Sequence, residues 1–283
     1  MLLTSKKISK KVYSTAITAL FTLVIAAPSL ATTVLSINTQ PILNPKTPHS
    51  GQVALGAVGK APSEKYIQLE ANAIALHITY NDADIVGLIG VEGENAAKKI
   101  LNYLPKEYQL IFKKGRDNFT AQDVALITRY QIIGEANDFT GIEGYYKNTK
   151  SVPSKALAIT LNNGSDTYNV VVAHLITKRS NNDNHDKRAA QADAIVKFMS
   201  DKQGHNIVMG YLNDAPGSTT LNTLVDSGLN IIDANEYSFT NDGSKQLLDH
   251  ILVSDSLKED ATFKSFGLGA ISEHRAVIAE LDD

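Results

Sequence analysis

The sequence predicts a mixed α/β protein, and three observations lead there. Asp84-Ile85-Val86-Gly87-Leu88-Ile89-Gly90-Val91 is a near-continuous apolar run of strand length, of the kind buried on both faces of a sheet. Elsewhere, after Ser63 and again after Arg188, apolar residues recur at steps of three or four, as amphipathic helices require. Finally, Val208-Met209-Gly210-Tyr211-Leu212 runs into Asn213-Asp214-Ala215-Pro216-Gly217-Ser218. A core strand that stops and delivers polar groups to a loop is where mixed α/β proteins hold their chemistry.

With 283 residues, 43% of them hydrophobic and 20% charged, the chain suits one large globular domain or two small ones and not a disordered protein. Lys6, Lys7, Lys10 and Lys11 precede an apolar run from Ala16 to Ala27, and Ser29-Leu30-Ala31 offers a small-residue cleavage site. This reads as a signal peptide over 1–31, followed by one domain over 32–283. The run falls short of the roughly 20 residues a membrane span needs, so no anchor is expected after cleavage and the product is expected to be secreted or periplasmic. Removing the leader takes four lysines and no acid, leaving 23 basic against 30 acidic residues. That balance disfavours sequence-independent binding to nucleic acid without excluding it. The absence of cysteine rules out disulfides, zinc-thiolate sites and thiol nucleophiles.

Val34-Leu35-Ser36-Ile37-Asn38 reads as a first strand ending in a polar residue, and 44–62 as a Pro- and Gly-rich loop. Tyr66, Leu69, Ala73 and Leu76 give the following helix one apolar face. After the buried run come Glu92, Gly93 and Glu94, and then a short amphipathic helix through Ala96, Ala97, Ile100, Leu101 and Leu104, ended by Pro105. Tyr108–Phe112 and Gln122–Tyr130 read as strands, with Lys113–Phe119 a loop between them. Arg129, at the exit of the second, either faces phosphate or is a surface strand-end residue. The stretch 134–155 has little apolar content and is expected to be irregular. Ala156–Leu161 and Tyr168–His174 form a hairpin through Asn162-Asn163-Gly164-Ser165. Lys178–Lys187 is a polar loop, and Arg188, Gln191, Ile195 and Phe198 follow on helical spacing. Ser218 caps a helix carrying Leu221, Leu224 and Val225, with Gly228 as its stop. Leu248–Val253 and the segment from Ser272 to Val277 complete the strands.

Several of these segments resemble, in this order, those of the endonuclease/exonuclease/phosphatase superfamily. Gly210-Tyr211-Leu212-Asn213-Asp214 is similar to its Gly-Asp-Phe-Asn-Asp, Val172-Ala173-His174-Leu175 to a strand ending Asn-His-Leu, and Asp249-His250-Ile251-Leu252 to Asp-His-Ile-Leu. Ser272-Glu273-His274-Arg275-Ala276-Val277 is similar to Ser-Asp-His-Arg-Pro-Val, and Val124–Tyr130 to Val-Ala-Leu-Leu-Ser-Arg-Tyr. The resemblance implies a four-layer α/β sandwich, two packed mixed sheets flanked by helices, with a site where strand ends converge. It implies His174, Asn213, Asp249 and His274 as catalytic residues, and Asn38, Asn213 and His174 as phosphate-binding ones. It also implies Mg²⁺ or Mn²⁺ as cofactor if the chain is active, none if not.

Three positions depart from the family pattern. Gly90 stands where the family has its metal-binding Glu, Tyr211 where it has a water-orienting Asp, and Ala173 where it has a phosphate-side Asn. Glu273 lengthens the terminal Asp by one methylene and is the remaining metal candidate. Glu92 joins it only through a loop distortion allowed by Gly93; its plainer reading is a solvated carboxylate beside Glu94 at a helix N-terminus. The reading that follows is a divergent exported protein with weak or absent metal-dependent hydrolysis of phosphodiesters or phosphomonoesters. The alternatives are an active Mg²⁺-dependent phosphodiesterase or nuclease with a rebuilt metal site, and a non-catalytic module binding a ligand or a protein. The expected ligand is a phosphate ester of unspecified class, and the expected state a monomer.

Overall fold

The computed structural model describes residues 31–42, 63–117, 122–178, 184–232 and 235–282. The leader read over 1–31 and the loop over 44–62 fall outside these residues, save Ala31.

Two six-stranded sheets face each other. The first contains β1 (Thr32–Ile42), β2 (Ile85–Val91), β3 (Gln109–Phe112), β4 (Asp123–Thr128), β15 (Thr262–Gly267) and β16 (Arg275–Leu281), in the order β15-β16-β1-β2-β4-β3. The second contains β5 (Gln131–Asn137), β8 (Ala156–Asn162), β9 (Thr167–His174), β10 (His205–Tyr211), β11 (Leu229–Ile231) and β14 (Asp249–Ser254), in the order β11-β14-β10-β9-β8-β5. Both are mixed: β1 runs parallel to β2 and antiparallel to β16, while β10 runs parallel to β9 and antiparallel to β14. Between the sheets lies a core built from inward residues of both, among them Val34, Ile89, Val172, Met209, Ile251 and Val277. Outside the first sheet pack α1 (Glu64–Tyr80) and α2 (Gly93–Leu101); outside the second pack α3 (His185–Met199) and α4 (Thr219–Val225). The result is the four-layer sandwich expected.

The expected strands and helices form where the sequence places them, with three corrections and one choice between two readings. First, α1 is capped by Ser63, whose Oγ accepts from Tyr66 N at 3.2 Å, but it buries a different face. Ile67, Ala71, Ile74, Ala75 and Ile78 go to the sheet, while Tyr66, Leu69 and Leu76 are 52–61% exposed. Both stripes satisfy a 3.6-residue period; the Ile/Ala stripe lies flat on the sheet and leaves the tyrosine hydroxyls wet. Second, the stretch 134–155 is not irregular. Its start is the end of β5, an edge strand paired to β8, and β6 (Gly144–Tyr146) with β7 (Thr149–Ser151) form a hairpin packed against α3. Ladder partners and a covering helix order this polar stretch, which has no apolar pattern of its own. Third, α3 begins at His185, inside the loop expected up to Lys187. Fourth, Arg129 donates to Asp84 Oδ1 and Asp82 Oδ1 at the entry of β2, the end of the sheet remote from Gly90. It is a strand-end anchor and not a phosphate ligand.

Candidate functional site at the strand tips

The topology decides which tips meet. β1, β2, β9 and β10 end where β14 and β16 begin, so Asn38, Gly90, His174, Tyr211, Asp249 and His274 all lie at one end of the sandwich. In the second sheet Tyr211 is paired with His174 on one side and Asp249 on the other, which puts the three in one row on one face.

At one side of this row stands a hydrogen-bonded polar chain. Asp249, 1% exposed, takes His274 Nδ1 at 2.7 Å on Oδ2 and Asn38 Nδ2 at 3.4 Å on Oδ1. Its own backbone N–H and that of Leu248 donate to Ser238 Oγ. A carboxylate that accepts the Nδ1 proton of an imidazole leaves Nε2 as a base, the arrangement of a general-base dyad.

The other side is aromatic. The Tyr211 ring lies 5.1 Å from that of His174 and 4.7 Å, edge-on, from that of His274, while Phe239 stacks on His274 at 4.6 Å. Phe239 belongs to β12 (Phe239–Asn241), which forms a hairpin with β13 (Ser244–Gln246) held by Ser238 N donating to Gln246 O. Between these rings His274 is only 6% exposed. Burial, and then Asp249, push the Tyr211 phenol up to about 12, so it is neutral and no substitute for a carboxylate. Burial takes His174 down to about 3, helped by the cation of Lys155, whose side chain is nearly enclosed and paired with Asp117 at 3.0 Å. His174 is therefore a neutral imidazole at every physiological pH, and its Nδ1 is enclosed with no hydrogen-bond partner among the described residues.

No family model matches the sequence, and no curated protein matches it. Solved structures do. An endonuclease/exonuclease/phosphatase family protein from Bacteroides thetaiotaomicron superposes with a TM-score of 0.62 at 18% identity, covering 90% of this chain and 98% of that one. Another from Leptotrichia buccalis gives 0.58 at 15%, covering 89% and 100%. Truncated TDP2 of Caenorhabditis elegans gives 0.60 at 13%, covering 89% and 98%. The chain has the endonuclease/exonuclease/phosphatase fold.

Of the remaining expected site residues, Asn213 stays at the strand tips, tied to the residue that follows His174. Asn213, at a left-handed φ of 59°, spends its amide on Leu175 O at 2.7 Å. Asp214 is bonded to buried Arg188 and to Thr220 and Lys178, and its carbonyl oxygen is 2.8 Å from His250 Nε2, a brace beneath the site. Glu273 is exposed although its neighbour His274 is buried. Glu92 precedes α2 but is 5% exposed, so the solvated-carboxylate reading is corrected: the turn into the helix folds it inward.

Gly93 has the left-handed backbone entertained for it, at φ 76°, and a second distortion lies at Gly90. The β2 ladder slips between Ile89 and Val91, and Gly90 takes φ 89°, which an L-residue adopts only under strain.

Among the described residues no three His, Cys, Asp or Glu side chains gather as a cation site. Asp249 already accepts from His274 and Asn38 on its two oxygens. A hard divalent ion needs oxygens free to face it, so the donor set present does not fit the family's cation. Sequence reasoning missed Phe239 and Ser238, which lie in a stretch with no periodic pattern, and Lys155, whose only sign was its place just before a strand.

Proposed function

We propose that this chain is an exported, divergent member of the endonuclease/exonuclease/phosphatase superfamily in which metal-dependent hydrolysis of phosphodiesters and phosphomonoesters is weak or absent. One observation carries the reading: the Tyr211 ring stands against both imidazoles the chemistry would use. A phosphoryl group must approach His174 and His274 together, and the phenol occupies that approach while removing the carboxylate expected there. The Asp249–His274 pair is then a buried structural bond whose chemistry is out of a substrate's reach. Loss of one oriented base or electrostatic donor typically lowers rate by about 10²–10⁴-fold.

The test is turnover of a chromogenic phosphodiester with saturating Mg²⁺ or Mn²⁺. The wild-type chain is expected to be near background, and Tyr211→Asp to raise the rate by roughly 10²-fold, a gain that His274→Ala in the same background removes. Efficient wild-type turnover abolished by His274→Ala overturns the proposal.

A second reading, a non-catalytic phosphate-ester binding module, is favoured by the unpartnered His174 Nδ1 in the field of the Lys155 cation. It predicts a rise in melting temperature with inorganic phosphate that Lys155→Met abolishes. No shift at saturating phosphate sets it aside.

A further inference from the structure

The exposed stripe of α1 is used by neither the core nor the strand-tip site. It reads Tyr66, Leu69, Ala73, Leu76, Tyr80, with steps of three, four, three and four. That is the narrow two-position seam of a coiled coil, whereas the broader Ile/Ala stripe packs on the sheet. Its four large side chains are 52%, 60%, 61% and 89% exposed. The order of residue types is the same from either end, with the smallest side chain in the middle. Such a palindrome fits an identical helix laid antiparallel on it, since each large residue then meets its counterpart and the two Ala73 positions allow close approach.

Two further observations favour a second copy over any other occupant. Beside Leu76 and Tyr80, with His77, Asn81 and Phe266, lies an open and mostly apolar pocket of about 510 Å³. In the antiparallel arrangement the Tyr66 end of the other copy falls on this pocket, and the reverse contact forms by symmetry. On one flank of the seam, Glu70 and His77 lie almost equally far from Ala73 on either side. The same arrangement sets Glu70 of each copy opposite His77 of the other, giving two identical carboxyl-to-imidazole contacts.

We propose that two copies of this chain associate through α1, antiparallel, about a two-fold axis near Ala73. This departs from the monomer expected from sequence and is independent of any reading of the phosphate site. The exposed seam offers on the order of 500 Å² per copy, hence roughly 1,000 Å² in total, the lower limit for a specific interface. The dimer is accordingly weak, with a dissociation constant of roughly 100 µM.

Sedimentation equilibrium on the full chain from about 5 µM to 1 mM tests it. The expected result is an average mass rising toward twice that of the monomer, and no rise for Leu69→Lys or for Ala73→Arg at unchanged circular dichroism. Because the chain has no cysteine, a second measurement is independent of those variants. Ala73→Cys is expected to give a disulfide-linked dimer on mild oxidation at high concentration, and Gln68→Cys, off the seam, is not. A wild-type chain monomeric at 1 mM, or equal cross-linking at positions 73 and 68, overturns the proposal.

Discussion

The two sides of the strand-tip cluster differ in what holds them. On the Asp249 side polar groups are bonded to one another: imidazole to carboxylate at 2.7 Å, amide to carboxylate at 3.4 Å, and two backbone N–H groups to Ser238 Oγ. On the Tyr211 side contact is ring to ring, and the buried His174 Nδ1 has no hydrogen-bond partner among the described residues. A bonded buried network resists substitution because deleting one member strands the others. Carboxylates gathered to face a cation repel one another without it, so replacing one by a neutral ring relieves repulsion and buries apolar surface. Retained polar residues in such a site therefore testify to mutual bonding at least as much as to catalysis.

Asp249→Ala should break this contrast most sharply. It leaves His274 Nδ1 and Asn38 Nδ2 buried without their acceptor, and is expected to lower stability by about 3 kcal/mol in urea unfolding. A loss under about 1 kcal/mol would mean that the network is not what holds this side together. Tyr211→Asp sharpens it next. The variant should be less stable than wild type in EDTA and gain about 2.7 kcal/mol at a cation concentration one hundred times its dissociation constant, with no cation response in wild type. A cation response of equal size in both chains would contradict the misfit described for the wild-type donor set.

Gly90→Ala tests whether the bulge is a backbone requirement. Holding alanine at φ 89° should cost about 1–2 kcal/mol, although the substitution adds only a methyl group. An unchanged midpoint would show that the slip relaxes without glycine.

His174 gives a prediction that is read only as a dependence on pH. Its folded pKa lies below that of the unfolded chain, so the unfolded state takes the proton first. Its contribution is fully present above about pH 6.5 and is lost as pH falls toward 3. His174→Leu should therefore flatten the acid limb of a stability-against-pH curve, and an unaltered limb would place that proton uptake elsewhere.

Much of this was legible in the sequence because it is local. The β2 run is buried on both faces as its uninterrupted apolar composition requires, Ser218 caps the helix it was read to cap, and the helical pattern read from Ser63 starts there, with Ser63 as its cap. The polar strand ends Asn38, His174, Asp249 and His274 meet because each closes or opens a strand whose direction the fold fixes. What was not legible depends on contacts distant in sequence. Periodicity cannot tell two offset stripes of one helix apart, so the seam of α1 was read as core. A hairpin ordered by a neighbouring helix has no pattern of its own, so 134–155 was read as irregular and Phe239 passed unnoticed.

By itself, then, the sequence determined the order and type of the main elements, the polar groups brought to their tips, and the absence of two carboxylates and an amide at the positions of Gly90, Tyr211 and Ala173. Only the tertiary structure decided that Tyr211 stands against two imidazoles, that position 90 is a bulge, and that one stripe of α1 faces outward. The physical reason is range. Hydrogen-bond period and side-chain alternation act over a few residues, whereas the occupant of a cleft, the register of a ladder and the buried face of a helix are set by whatever a distant part of the chain presses against them.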